Sequence, residues 1–131
     1  MKRVVLKTFL LIFLTFAALS AQSGEMDNEA AKLYNIGNSQ KKSGNFAGAI
    51  ESYTKALEIS KDYRIYYQLS SVYKKQRKFD KAEEALLNSL KVNPEFTSAY
   101  NSLGTTYYSW GKYDKAVENF KLFKENANDK K

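Results

Sequence analysis

The stretch Tyr100-Asn101-Ser102-Leu103-Gly104, followed by Gly111-Lys112-Tyr113, then Ala116-Val117, Phe120 and Phe123, decides the fold, because its pattern occurs twice more upstream. Tyr66-Tyr67-Gln68-Leu69-Ser70 precedes Arg77-Lys78-Phe79, Ala82, Leu86 and Ser89-Leu90. Before that, Leu33-Tyr34-Asn35-Ile36-Gly37 precedes Gly44-Asn45-Phe46, Ala49-Ile50, Tyr53 and Ala56-Leu57. The step is 33 residues from Ala49 to Ala82 and 34 from Ala82 to Ala116. Self-similarity at that period is the mark of a solenoid.

Each unit carries two apolar patterns at helical spacing. Phe46, Ala49, Ile50, Tyr53 and Leu57 follow the i, i+3, i+4, i+7 rule of one buried helix face. Between the two patterns lies a turn signal, Ser43-Gly44-Asn45 in the first unit and Trp110-Gly111-Lys112 in the third. Glycine there takes the left-handed conformation that ends a helix without a Cβ clash. Arg77 fills that place in the middle unit, so either the turn costs about 1–2 kcal/mol or it is of another type. Small residues recur where helices would cross closely: Gly37, Ser70 and Gly104 in the first helices, Ala49, Ala82 and Ala116 in the second. The single Pro, in Asn93-Pro94-Glu95, separates units two and three, since Pro cannot continue a helix interior. The predicted fold is all-α, a solenoid of three antiparallel helix pairs.

These residues resemble the tetratricopeptide repeat family, whose unit is a helix–turn–helix of about 34 residues. The resemblance spans residues 30 to about 125. Departures are Leu33 and two Tyr where the family favours Trp, Lys61 where it favours Pro, and Ser70 and Arg77 where it favours Gly. The organisation expected is a leader at 1–23, a short linker at 24–29, repeats at 30–62, 63–96 and 97–125, and a polar tail at 126–131. In the third unit, Phe123-Lys124 stands where Ala56-Leu57 and Ser89-Leu90 would receive a following helix, so the array is expected to stop at three repeats. Phe120 and Phe123 then either fold over the open end or form a terminal interface with another copy or another protein.

The resemblance implies a right-handed superhelix whose first helices line a concave groove. On this chain the groove-facing places are Tyr34, Asn38 and Lys41, then Tyr67, Ser71 and Lys74, then Asn101, Thr105 and Tyr108. Tyr supplies apolar area with a polar tip, and the two ammonium groups favour an acidic segment. The expected function is therefore that of a protein–protein interaction adaptor. Some family members clamp a terminal carboxylate with Lys and Asn in the first repeat and Lys and Arg in the third. Asn38 matches one of those places, but Tyr34, Ser98 and Ser102 occupy the others, so that clamp is not expected here.

Composition narrows the function further. The chain has no His and no Cys, which removes imidazole bases, thiolate nucleophiles, disulfides and the usual zinc ligands. The adjacent pair Glu83–Glu84 does not converge on one helix face. No enzyme activity, metal or cofactor is expected. The net charge is +7, with Lys2, Arg3 and Lys7 contributing from the leader. Lys41-Lys42, Lys74-Lys75, Arg77-Lys78 and Lys112 fall at the ends of the first helices and form a basic ridge. Its cause is either favourable interaction with helix C-terminal dipoles or contact with an anionic surface or acidic protein. Nucleic acid is the least favoured partner.

The leader itself has a basic opening, a charge-free apolar run from Thr8 to Leu19, and the small-residue motifs Ala18-Leu19-Ser20 and Ala21-Gln22-Ser23. These are the parts of a secretory signal peptide, cleaved near 20–23, and the run is short for a membrane span. The expectation is an exported protein, periplasmic or secreted, with a partner in the cell envelope. The alternative is a chain anchored by an uncleaved signal.

Overall fold

A computed structural model describes residues 24–129, and the leader lies outside them. Within these residues the chain forms six helices: α1 Asn28–Lys42, α2 Phe46–Ile59, α3 Tyr63–Lys75, α4 Phe79–Val92, α5 Thr97–Trp110 and α6 Tyr113–Asn128. They pack as the pairs α1/α2, α3/α4 and α5/α6, which stack through α2 on α3 and α4 on α5. This is the all-α solenoid of helix pairs that the 33–34-residue period predicts. Helix α6 runs three residues past the expected end of the third repeat, to Asn128. None of the described helices is long and apolar enough to cross a membrane.

Side-chain oxygens start the first three helices. The Asp27 carboxylate accepts from the Glu29 and Ala30 N–H groups, Asn45 Oδ1 from Gly48, and Asp62 Oδ1 from Arg64. Each satisfies donors that have no partner inside the helix.

The three turns within the pairs share one geometry. The Gly44 N–H donates to the Lys41 carbonyl and the Asn45 N–H to the Gln40 carbonyl, at 3.2 and 2.9 Å. Gly111 and Lys112 repeat this with Tyr108 and Tyr107, and Arg77 and Lys78 with Lys74 and Tyr73. This is the Schellman ending, which needs a left-handed residue just past the helix. Gly44 and Gly111 supply it at φ +80°, and Arg77 is forced to φ +60°. The guanidinium of Arg77 lies 5.3 Å from the centre of the Phe79 ring, an attraction that offsets part of the strain.

Where each first helix crosses its partner, a small residue faces a large one. A Cβ on Gly37 would lie 2.6 Å from the Tyr53 ring, and one on Gly104 would lie 2.5 Å from the Phe120 ring. Non-bonded carbon atoms do not approach that closely, so glycine at these two places is dictated by packing. The middle repeat places Ser70 and Leu86 there, and both are fully buried. A larger residue on the first helix is thus matched by a smaller one on the second. Tyr53 is completely buried, and its hydroxyl donates to Asn38 Oδ1 at 2.7 Å. The buried phenol therefore keeps its hydrogen bond.

Between repeats, two buried clusters form the core. One joins Tyr53, Ala56 and Leu57 to Ile65, Leu69 and Val72, and the other joins Leu86 to Ala99, Leu103, Tyr107 and Ala116. Phe96 wedges its ring against Tyr63 and Tyr67, at 4.8 and 5.1 Å between ring centres. Ser89 Oγ donates to the Tyr63 carbonyl at 2.9 Å, tying α4 to the start of α3. Trp110 lies 6.4 Å from Tyr107 and 6.1 Å from Phe79, so it packs on its own helix and across to the preceding repeat.

Two outcomes follow. Arg77→Gly relieves the left-handed strain and is expected to stabilise the protein by about 0.5–1 kcal/mol, after the lost ring contact and the added freedom of glycine in the unfolded chain. Gly111→Arg, at the equivalent turn, is expected to cost about 1 kcal/mol; chemical denaturation of both variants measures the pair.

The second concerns Tyr53, whose pKa is raised by burial and then by Tyr34. The folded state therefore holds this proton more tightly than the unfolded chain does, and stability falls as pH rises above the ordinary tyrosine value of 10.0. Tyr53→Phe should cost about 0.5–1.5 kcal/mol at neutral pH through the lost bond to Asn38. That deficit should shrink above pH 10, since only the wild type loses this contribution; denaturation curves at neutral and alkaline pH test the trend.

Candidate functional site

The first helices α1, α3 and α5 share one face of the stack. α1 touches α3 directly, and side chains bridge each first helix to the next. The inner face is built from these helices.

Along that face a contact repeats with the period of the array. Lys41, in the last turn of α1, donates from Nζ to Gln68 Oε1 and to Ser71 Oγ, the latter at 3.3 Å. One repeat later, Lys74 donates from Nζ to Thr105 Oγ1 at 3.0 Å. The accepting hydroxyls are oriented by their own helices. Ser71 Oγ donates to the Gln68 carbonyl at 2.7 Å and Thr105 Oγ1 to the Ser102 carbonyl at 3.0 Å. With their protons spent on the backbone, these oxygens present lone pairs to the ammonium groups.

Both lysines are partly desolvated. Burial, followed by repulsion from Lys75 and Lys42, lowers the pKa of Lys41, and burial followed by Lys75 lowers that of Lys74. Ion pairs among the described residues lie elsewhere, at Glu29–Lys32, Glu51–Lys55 and Asp62–Arg64. The two ammonium groups are thus positioned by neutral oxygens, and among the described residues no carboxylate pairs with them. An ammonium has three donors, so one remains on Lys41 and two on Lys74 for an incoming acceptor.

The other groove candidates are placed differently. Tyr34 is half-buried with its ring 6.1 Å from Tyr53, and Asn38 holds the Tyr53 hydroxyl. Tyr67 is half-buried edge-on to Phe96. These three brace the array from the groove side. Asn101 is exposed. Tyr108 is 64% exposed and its ring meets Tyr113 of its own repeat at 5.5 Å. The structure therefore joins Lys41 to Ser71 and Lys74 to Thr105, and leaves Asn101 and Tyr108 apart from them.

Gln68 is a groove residue that sequence reasoning missed. It sits three residues before Ser71, on the same helical face, and that spacing was the available signal. At the places of the carboxylate clamp, Ser102 is buried and its carbonyl accepts from Thr105 and Thr106, while Ser98 is half-buried. At the C-terminal end, the Phe120 ring lies beneath Gly104 and packs on the second cluster, and Phe123 is half-buried.

Comparison with known proteins agrees with this geometry. Two tetratricopeptide repeat profiles match residues 30–63 and 67–130. Heat shock protein STI1 of Saccharomyces cerevisiae is 35% identical over 75 residues, covering 56% of this chain and 13% of STI1. Among solved structures, the crystal structure of MamA superposes with a TM-score of 0.75 at 30% identity, covering 78% of this chain and 60% of that one. The first TPR of Spaghetti (RPAP3), bound to the HSP90 peptide SRMEEVD, gives 0.71 at 25% identity, covering 75% and 79%. The chain thus spans only a small part of STI1, and its likeness to that protein is a likeness of repeats. The period, the helix pairs and the two profiles, which together span residues 30–130, agree, and the chain belongs to the tetratricopeptide repeat family.

Proposed function

We propose that this protein is a non-catalytic adaptor that takes an acidic segment of a partner protein onto the inner face of its first helices. The observation that carries this reading is the pair Lys41 and Lys74, one repeat apart, partly desolvated and with no carboxylate paired to them among the described residues. Removing an ammonium from water costs free energy that hydroxyl and amide oxygens recover only in part. A partner carboxylate at either site gains a charge-assisted hydrogen bond to a donor already in place. The side chains are ordered before binding, so little further entropy is lost. The peptide SRMEEVD on the first TPR of Spaghetti also carries acidic residues, which supports this chemistry for a related array.

The leader gives the proposed setting. A basic opening, an apolar run and small residues favour export to the periplasm or beyond, with a partner in the envelope; retention by an uncleaved leader is the alternative. A self-assembling subunit is the second reading. Because Phe120 is engaged beneath Gly104, a terminal interface of that kind would rest on Phe123.

Selection of a random peptide library on the purified protein tests the adaptor reading, with Lys41→Gln/Lys74→Gln as the counter-target. Enriched peptides are expected to carry several Asp or Glu and to bind the double variant at least about tenfold more weakly, as expected for lost bonds between charged groups. Enrichment without acidic residues, or equal binding to both forms, would contradict the proposal.

A further inference from the structure

The edge of the array formed by the three turns within the pairs is strongly basic, and helix dipoles explain only half of it. Lys42 and Lys75 lie in the last turns of α1 and α3, where positive charge is favourable. Lys78 and Lys112 instead stand at the N-caps of α4 and α6, and Lys115 lies in the first turn of α6. Positive charge at a helix N-terminus opposes the dipole. Neither Lys78 nor Lys112 makes a side-chain capping bond, whereas Asn45, at the equivalent place in the first repeat, caps α2 at 3.0 Å. Two caps have been given up for cations on the same edge. One acidic residue accompanies each of these first turns, Asp80 and Asp114. The opposite edge, where the first helices begin and α4 ends, is of mixed charge, with Asp27, Glu29 and Asp62 beside Arg64 and Lys91.

Ring contacts hold some of these cations without neutralising them. The Lys112 ammonium lies 3.3 Å from the centre of the Trp110 ring, and Lys115 lies 5.4 Å from that of Tyr107. At the same end of the edge, Tyr108 and Tyr113 are 64% and 61% exposed and meet in a T-shaped pair. A pair of exposed amphipathic rings at one end of a row of lysines matches the interface of a bilayer, where rings sit at headgroup level and lysines at the phosphates.

We propose that this edge docks the array on a bilayer surface containing anionic phospholipids. The lysines meet the phosphates, and the Tyr108–Tyr113 pair enters the headgroup layer. Lys41 and Lys74 share the last turns of α1 and α3 with Lys42 and Lys75, but their ammonium groups are turned to Ser71 and Thr105 of the next first helix.

The test is partition of the full chain onto phosphatidylcholine vesicles with and without phosphatidylglycerol, comparing wild type with Lys75→Gln/Lys78→Asn/Lys112→Asn. The two Asn substitutions copy the Asn45 cap, which offsets the lost contact of Lys112 with Trp110, and a thermal melt of the variant separates lost binding from lost folding. Wild type should prefer the anionic vesicles, and the variant should bind them about a hundredfold more weakly, from the worth of each lysine near an anionic surface. Lys41→Gln/Lys74→Gln, whose ammonium groups face the next repeat, should change partition far less. Equal partition of wild type onto both vesicles, no partition, or an unaffected triple variant would overturn the proposal. Tighter retention on soluble polyglutamate than on anionic vesicles would overturn it in favour of an acidic protein.

Discussion

Everything else in this molecule rests on the close approach of a small residue in each first helix to a large side chain in the second. At Gly37 and Gly104 the helices come together until the rings of Tyr53 and Phe120 occupy the space a methyl group would need. The crossing fixes how the two helices of a pair sit, and the turn at one end must then return the chain within a few residues. That demand puts Gly44, Arg77 and Gly111 in the left-handed region. The next repeat stacks on the second helix so placed, and its first helix comes to lie beside the previous one. The bridges from Lys41 to Ser71 and from Lys74 to Thr105 exist only because of that sequence of constraints.

Much of this was legible in the chain because the constraints act on residue type. A left-handed turn selects Gly, and a tight crossing selects Gly or Ser opposite a matched volume; both recur at the period of the repeat. Arg77 left two readings open in the sequence. The structure keeps the turn and places the guanidinium over Phe79, a contact between residues two apart that no spacing rule announces. The groove was harder to read. Helical periodicity says which face a side chain leaves from, but not whether its ring turns inward to brace its own repeat, as Tyr34 does, or the junction with the next, as Tyr67 does, or stands in solvent, as Tyr108 does. Asn38 looked like a contact residue and is engaged by the Tyr53 hydroxyl. Gln68 offered only its spacing to Ser71, a weak signal because a glutamine on a half-polar face matches any pattern.

The array carries its lysines in two different settings. On the inner face two ammonium groups are few, ordered and partly desolvated, an arrangement suited to discrimination between ligands. On the turn edge the cations are repeated, and all but the half-buried Lys112 are exposed, which gives broad attraction to a negative surface. Asp80 and Asp114 offset part of this charge, while Asp27, Glu29 and Asp62 stand at the opposite edge, where they serve the N-termini of α1 and α3. Local helix chemistry therefore accounts for these carboxylates, and for the basic edge only in part.

The most direct test of the account is a double-mutant cycle at the third crossing, exchanging its pair for that of the middle repeat. Gly104→Ser alone should be destabilising by about 1–3 kcal/mol because the new atoms meet the Phe120 ring. Phe120→Leu alone should be destabilising because it leaves a cavity beneath the glycine. Together they reproduce Ser70 with Leu86, and unfolding free energies should show a favourable coupling of at least about 1 kcal/mol. If the two losses simply add, the volumes at the crossing are not matched to each other, and the constraint on which the stack has been built here is not the one that holds it.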